Sequence, residues 1–153
     1  MKNLLLLAVV FSTPLLFSCL SNTREKQSET SAYTVATPIQ KNNELQKSIE
    51  RGSIIYDEFC VQCHGADGKG MPRVFPPLDG ADWLTEKRTE SIHAVKYGQS
   101  GEIIVNGNVY NNVMPPMGLT DKEVADVMNF VMNSWSNTQE KPVTVEEVRA
   151  IKP

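Results

Sequence analysis

The stretch CVQCH, residues 60–64, constrains this chain more than any other part of its 153 residues. Two cysteines separated by two residues occur in redox dithiols, in zinc sites and where a haem is attached to a polypeptide. A redox dithiol opens a helix that follows a strand, whereas a helical pattern precedes this pair. A structural zinc site needs four ligands, and the only other candidates are His64, His93 and Cys19. The motif and its context therefore disfavour both a dithiol and a zinc site.

The same five residues satisfy the requirements of haem attachment. In the pattern Cys-x-x-Cys-His, two thiols reach the two vinyl groups at one edge of a porphyrin, and the imidazole that follows binds the iron. Cys60, Cys63 and His64 supply these three groups. The motif predicts one covalently bound haem c, with His64 as an iron ligand.

A second iron ligand is expected from the sequence MPPMG, residues 114–118. This stretch is far enough along the chain from His64 to approach the iron from the other side, and a thioether there would complete His/Met ligation. Met114 is the preferred ligand, because the prolines after it hold its backbone extended. Met117 is the alternative. His93 lies in a short mid-chain helical stretch and is expected at the surface.

Apolar periodicity predicts two long helices. The first ends at CVQCH and has a stripe formed by Leu45, Ile49, Gly52, Tyr56 and Phe59. The second follows a capping box of Thr120 and Glu123, and its stripe consists of Val124, Val127, Met128, Val131 and Trp135. Between the two helices, a short helix is predicted over 90–97, closed by Gly98. A hairpin is predicted over 103–110, with its turn at Asn-Gly.

The N-terminal region has the pattern of an export leader followed by a tether. A basic start and a short apolar run predict a signal peptide over 1–18. The residues Leu16-Phe17-Ser18-Cys19 resemble a bacterial lipobox, which predicts lipidation of Cys19; ordinary cleavage nearby is the alternative. Residues 19–43 are polar and predict a flexible tether with a reach of about 25–30 Å. The protein is therefore expected on the periplasmic side of a membrane, anchored through lipid.

Charge limits the choice of partner. The formal net charge of the chain is −3, and the region 44–136 has 13 acidic and 8 basic side chains. A nucleic-acid partner is not expected, because no basic surface is available for phosphates. A protein partner would meet either this acidic surface or an apolar rim formed by Val61, Pro116 and Met117.

The region 44–136 resembles a class I, single-haem cytochrome c in the CVQCH motif, in Met114-Pro115 and in the residues expected where the first and last helices cross. The resemblance implies an all-α fold of three to four helices around a covalent haem, with a small hairpin. It also implies that the carbonyl of Pro76 accepts the free N–H of His64 and that Leu78 presses on the ring. Pro77 is the alternative acceptor. Trp83 is a candidate donor to a haem propionate, and the alternative is that it is only a core residue.

The closer resemblance is to cytochrome modules that occur with copper nitrite reductases, quinoprotein dehydrogenases and terminal oxidases. It rests on the stretches FPPL and MPPMG and on the Asn-Gly hairpin between them. The resemblance implies an electron carrier, not an enzyme, with redox proteins as partners. Two alternatives stay open: an electron-entry subunit of a larger oxidoreductase, and a haem sensor or enzyme with a displaceable methionine. The tail over 137–153 is expected to contain a short helix that starts after Thr144.

Overall fold

The computed structural model describes residues 38–139 and 141–153, with side chains from residue 42 onward. The predicted signal peptide, Cys19 and most of the predicted tether lie outside the described residues. Within them the chain forms helices and strands in the order α1 (Pro38–Phe59), α2 (Val61–His64), α3 (Asp82–Glu86), α4 (Arg88–Tyr97), β1 (Ile103–Val105), β2 (Asn108–Tyr110), α5 (Asp121–Val131) and α6 (Val145–Ala150). The predicted all-α class with a small hairpin is confirmed. None of the helices in this part of the chain is long and apolar enough to cross a bilayer.

Helix α1 packs against helix α5 along a face that differs in part from the predicted stripe. Its buried residues are Ser48, Gly52 and Tyr56, at steps of four, whereas Phe59 is 38% exposed. The prediction for Phe59 was wrong: this residue falls on the same helical face, but it is the last residue of α1 and its side chain is exposed. A Cβ on Gly52 would overlap the backbone of Asp126, so glycine permits the close crossing of the two helices. Helix α1 also begins at Pro38, six residues before the predicted start of the domain.

Helix α5 begins at the predicted capping box. Thr120 accepts a hydrogen bond from the N–H of Glu123, and the Glu123 carboxylate accepts one from the N–H of Thr120. The helix ends at Val131, so Trp135 lies outside it, with a φ of 56°. The helix stops there because hydroxyl and amide side chains bond its last carbonyls: Ser134 donates to Phe130 O at 2.7 Å, and Asn137 donates to Val131 O at 2.9 Å.

The middle of the chain follows the prediction with one addition. Strands β1 and β2 pair in antiparallel register, with Ile104 opposite Val109, and Asn106 and Gly107 have φ values of 50° and 72° at the turn. Positive φ at both turn residues is the geometry for which Asn-Gly is favoured. Helix α4 ends before Gly98, as predicted. Helix α3 was not predicted, because five residues are too few to show a period.

The C-terminal region belongs to the folded domain, beyond the predicted boundary at residue 136. Val148 of α6 is fully buried, and Val143, which precedes the helix, is 3% exposed. Thr144 caps α6 by accepting from the N–H of Glu147 at 3.1 Å. The Glu147 carboxylate bonds Arg88 instead of Thr144, so only half of a capping box forms.

Candidate haem-binding site

The last turn of α1 and the single turn of α2 bring Cys60, Cys63 and His64 together. The N–H of Cys60 donates to Tyr56 O at 2.9 Å, and the N–H of His64 donates to Cys60 O at 3.0 Å. These two consecutive helical hydrogen bonds fix the backbone from Tyr56 to His64, and the side chains of Cys60, Cys63 and His64 all lie on the wall of one pocket. Burial, and then the proximity of Cys63, raise the pKa of Cys60 to about 11. Cys63 is exposed.

His64 is buried and held in one orientation by a hydrogen bond. Its Nδ1 lies 3.0 Å from the carbonyl oxygen of Pro76, not that of Pro77. A carbonyl only accepts, so the proton is on Nδ1, and Nε2 keeps its lone pair for a metal. Burial lowers the pKa of His64, and the bond to Pro76 opposes this shift only in part. The imidazole is therefore neutral at physiological pH, in the protonation state that binds iron.

Met114 lies on the wall of the same pocket and is fixed through its backbone. The N–H and the carbonyl of Met114 each form a 2.8 Å hydrogen bond with Gln99, which directly follows the end of α4 and Gly98. Gly98 has a φ of 87°, and a Cβ there would lie 2.7 Å from Met114 O. This glycine therefore permits the loop that carries Met114 to approach α4 closely.

The other pocket walls come from helices α2 to α5, both strands and the loops between them. The pocket has about 1070 Å³ of empty space, including the part that is open to solvent. Its further lining residues carry no charge and are mostly apolar: Val74, Phe75, Pro76, Pro77, Leu78, Ala81, Trp83, Leu84, Ser91, Ala94, Val95, Gln99, Ile103, Val105, Tyr110, Asn112, Val113, Pro115, Val127, Met128 and Val131.

Several residues singled out from the sequence have other surroundings. Met117 and His93 do not line the pocket, and the ring centroid of His93 lies 5.2 Å from that of Tyr97. The indole N–H of Trp83 donates to Ile104 O at 2.7 Å, and its donation to a propionate stays a prediction. Val61, Pro116 and Met117, predicted as an apolar rim, are also absent from the lining of the pocket in the described chain.

Three of the residues that sequence reasoning missed bear directly on the site. Gly98 and Gln99 fix Met114, and Tyr110 lines the pocket while only 6% exposed. From the sequence, Gly98 can be recognised only as the residue that ends a helix. Nothing in the local pattern indicates its contact with Met114. Tyr110 lies in strand β2, and the period of a three-residue strand is too short to show which of its side chains faces a cofactor.

The donor groups on the pocket wall fit a covalently attached haem. Two thiols lie beside one imidazole whose free nitrogen has a lone pair, a thioether lies elsewhere on the wall, and the surrounding surface is apolar. In the described residues, no group of three or more Cys, His, Asp and Glu side chains is placed to hold a bare metal ion. The site therefore suits an iron held in a large apolar ring.

Comparison with known proteins agrees with this interpretation. The family model for cytochrome c matches residues 49–135, which is more than half of the chain. The chain belongs to the cytochrome c family. Its cofactor is one covalently bound haem c, as CVQCH predicts, and it is a class I, single-haem member. This cytochrome therefore functions in electron transfer.

Individual relatives of this cytochrome include a small protein and subunits of larger enzymes. It is 37% identical over 110 residues to cytochrome c-552 of Thermus thermophilus, covering 66% of this chain and 83% of that protein. It is 30% identical over 105 residues to the cytochrome c subunit of a quinone alcohol dehydrogenase of Gluconobacter oxydans, covering 66% of this chain and 22% of that subunit. It is also 30% identical over 105 residues to a cbb3-type cytochrome c oxidase subunit of Rubrivivax gelatinosus, covering 67% of this chain and 31% of that subunit.

Proposed function

We propose that this cytochrome is a single-electron carrier, tethered by a lipid on Cys19 at the exported side of a membrane. Cys60 and Cys63 would hold the haem through thioether bonds, and His64 and Met114 would be its iron ligands. The bound haem supplies an iron that takes up and releases one electron at a time. The observation that carries the proposal is the fixed position of Met114 on the wall of the pocket that also contains His64.

The protein contributes a rigid surrounding with two different ligands. The hydrogen bond to Pro76 fixes the orientation of His64 and raises its basicity as a ligand. The two hydrogen bonds to Gln99 limit the positions that Met114 can adopt. Leu78 lines the pocket and adds apolar surface against the ring. Fixed ligands favour electron transfer, because the protein then changes little between the two oxidation states.

The pocket favours a carrier over a sensor or an enzyme. A haem that activates a small molecule needs an open iron position and a nearby group that transfers protons. Among the described lining residues there is no Asp, Glu, Lys or Arg, and His64 is already committed to the iron in this proposal. Met114 would also have to leave, against the two hydrogen bonds that hold its backbone.

The mouth of the pocket suggests how a partner docks. Val74 and Val113 both line the pocket and are 36% and 64% exposed, so the proposed apolar rim includes them. Apolar contact over this edge, together with the excess of acidic groups, fits a redox partner with an apolar centre and basic surroundings. Dehydrogenases and terminal oxidases are the proposed partner classes, because the relatives named above include subunits of such enzymes.

An electron-entry subunit of a larger oxidoreductase is the second candidate. The similarity to subunits of a quinone alcohol dehydrogenase and of a cbb3 oxidase favours it. Affinity purification of the tagged protein from its host in mild detergent distinguishes the two. A stoichiometric complex that survives size-exclusion chromatography would support the subunit, whereas recovery of the cytochrome alone supports the carrier.

The iron ligand is tested with three methionine variants. Met114→Ala should remove the weak far-red band between sulfur and ferric iron, admit carbon monoxide to the ferrous protein and lower the reduction potential, since thioether ligation raises it. Met117→Ala and Met128→Leu should keep the band; Met128 also lines the pocket but is buried within α5. Loss of the band in Met117→Ala alone would reassign the ligand. Immediate and complete carbon monoxide binding by the unmodified protein would overturn the carrier function.

The tether is tested at Cys19. Labelled fatty acid should enter the mature protein, and Cys19→Ser should move the cytochrome from the membrane to the soluble fraction. Equal release of both forms would leave an exported cytochrome without a lipid anchor.

A further inference from the structure

Helix α6 lies outside residues 49–135, which the family model matches, yet it forms part of the core. Val148 is fully buried, and the amide side chain of Asn129 in α5 pairs with the backbone of Val143 in both directions, at 2.7 and 2.9 Å. The segment that contains α6 is therefore firmly attached to α5. Its contacts with α4 lie at both ends of that helix.

Lys96, in the last turn of α4, joins three elements. Its ammonium group donates to Val148 O at 2.9 Å and to Ile151 O at 3.4 Å, at the end of α6, and lies 2.9 Å from the carboxylate of Asp121, the first residue of α5. The Lys96 side chain is only 14% exposed. The hydroxyl of Tyr97 also donates to Ile151 O, at 3.2 Å. A cation near the carbonyls at the C-terminal end of a helix and near a carboxylate is favourably placed.

These contacts lie close to two points of the loop that carries Met114, namely Met114 itself and the end of the loop at α5. Gln99, which holds the backbone of Met114 by two hydrogen bonds, comes three residues after Lys96. Asp121, which Lys96 binds directly, begins the helix into which the same loop runs. The segment after α4 therefore holds the loop at Met114, the start of α5 fixes the end of the loop, and Lys96 connects α4, α5 and α6.

We propose that Lys96 is a positioning residue for Met114, and that α6 acts on the iron ligand through Lys96 and Tyr97. The inference rests on the proposed ligation by Met114. With Lys96 in place, the loop has few alternatives to the position in which the thioether faces the pocket. Without it, the end of α4 and the start of α5 separate more easily, and Met114 leaves the iron more often.

Arg88 provides the matched control at the other end of α4. Its guanidinium binds both carboxylate oxygens of Glu147 in α6, at 2.7 and 3.0 Å, and the two side chains are 18% and 24% exposed. This ion pair also attaches α6 to α4, but it lies at the first residue of the helix, away from Gln99 and Met114. Removing either side chain should lower the free energy of unfolding. Only removal of the Lys96 side chain should also affect Met114.

The experiment measures imidazole binding to the ferric, full-length haem protein, with a parallel unfolding curve. Imidazole must replace Met114, so its apparent affinity reports how often the thioether is off the iron. Lys96→Met should tighten imidazole binding by roughly tenfold, since hydrogen bonds of a charged group are lost. Lys96→Arg should return the imidazole affinity to within about threefold of the unmodified protein. Arg88→Met should leave the imidazole affinity unchanged, although this variant unfolds at a lower denaturant concentration. If Lys96→Met does not fold, Tyr97→Phe should still tighten binding by about threefold.

Two results would overturn the proposal. One is an equal increase of imidazole affinity in Lys96→Met and Arg88→Met. The other is an unchanged imidazole affinity in Lys96→Met, or in Tyr97→Phe if Lys96→Met does not fold. Met114→Ala separates this failure from failure of the proposed function. If Met114→Ala binds imidazole no more tightly than the unmodified protein, Met114 is not the ligand, and both the proposed ligation and the positioning role of Lys96 fail. If Met114→Ala binds imidazole more tightly but Lys96→Met does not, only the positioning role of Lys96 is contradicted.

Discussion

Gly70 lies directly against the carbonyl oxygen of Pro76, the oxygen that accepts the hydrogen bond from His64. Gly70 has a φ of 62°, and a Cβ on it would overlap the carbonyls of both Phe75 and Pro76. The N–H of Gly70 also donates to His64 O at 2.8 Å. A residue without a side chain thus supports the group that orients the imidazole.

Gly70→Ala is therefore expected to displace Pro76 O and to weaken its bond to His64. Loss of that bond makes the imidazole less basic as a ligand, which disfavours the ferric state and raises the reduction potential. Crowding and the positive φ should also lower the free energy of unfolding by about 1–3 kcal/mol. A redox titration and a urea unfolding curve measure the two effects.

Gly101→Ala is the control for backbone strain. Gly101 has a φ of 85°, but a Cβ there would have no atom within 4 Å. The variant should lower stability through its backbone alone and leave the reduction potential unchanged. The same change in potential for both variants would show that Gly70 does not act through Pro76.

Covalent attachment should depend on the two thiols of CVQCH. Haem is expected to stay with the unmodified chain through denaturation and acid–acetone extraction, because thioether bonds survive both. Cys60→Ala combined with Cys63→Ala should leave haem extractable or absent, whereas Cys19→Ser should retain it. Stained gels for covalent haem measure all three, and extraction of haem from the unmodified protein would contradict the attachment.

Trp83→Phe distinguishes the predicted hydrogen bond to a propionate from the hydrogen bond to Ile104 in the structure. The indole N–H bonds Ile104 O, so its removal should lower the free energy of unfolding by about 1 kcal/mol. The reduction potential should not change, since no propionate loses a hydrogen bond. A clear shift in the reduction potential at nearly unchanged stability would show that the indole N–H of Trp83 donates to a haem propionate.

The features predicted from the sequence are those that neighbouring residues determine. CVQCH, the Asn-Gly turn, the cap of Thr120 and the stop at Gly98 are each encoded within a few residues. Their structures follow local geometry, which a single sequence contains. For the same reason, Met114 could be preferred over Met117 from the prolines beside it.

The remaining features depend on residues that are far apart in the chain. The pairing of Gln99 with Met114, the partner of Trp83 and the packing of α6 on α4 and α5 have no local pattern. Trp135 fitted the helical period but lies outside α5, because nearby hydroxyl and amide side chains end the helix first. Periodicity shows which residues can face a core, but it does not show where competing side-chain hydrogen bonds stop a helix.

Asp126 should make the stability of the domain depend on pH in the acid range. Its side chain is only 5% exposed and accepts hydrogen bonds from Ser48 at 2.6 Å and Arg51 at 2.7 Å, which join α1 to α5, and from Lys122 of α5 itself at 2.6 Å. Burial alone would raise the pKa of Asp126, but the bonds from Arg51, Lys122 and Ser48 outweigh it and hold the pKa below the usual 3.8. The folded state therefore binds this proton less readily than the unfolded chain does.

The sign of the effect follows from that difference in pKa. A lowered folded pKa stabilises the domain above the unfolded value near 3.8, and the contribution is lost as pH falls through the folded value. Asp126→Asn should thus lower the free energy of unfolding by about 2 kcal/mol at neutral pH, since Arg51 and Lys122 can return to water and no unpaired charge stays buried. The difference from the unmodified protein should shrink below about pH 4. Urea unfolding of the haem protein at neutral and acid pH, with the exposed Asp57→Asn as control, measures it, and a difference that grows on acidification would contradict the role of this carboxylate.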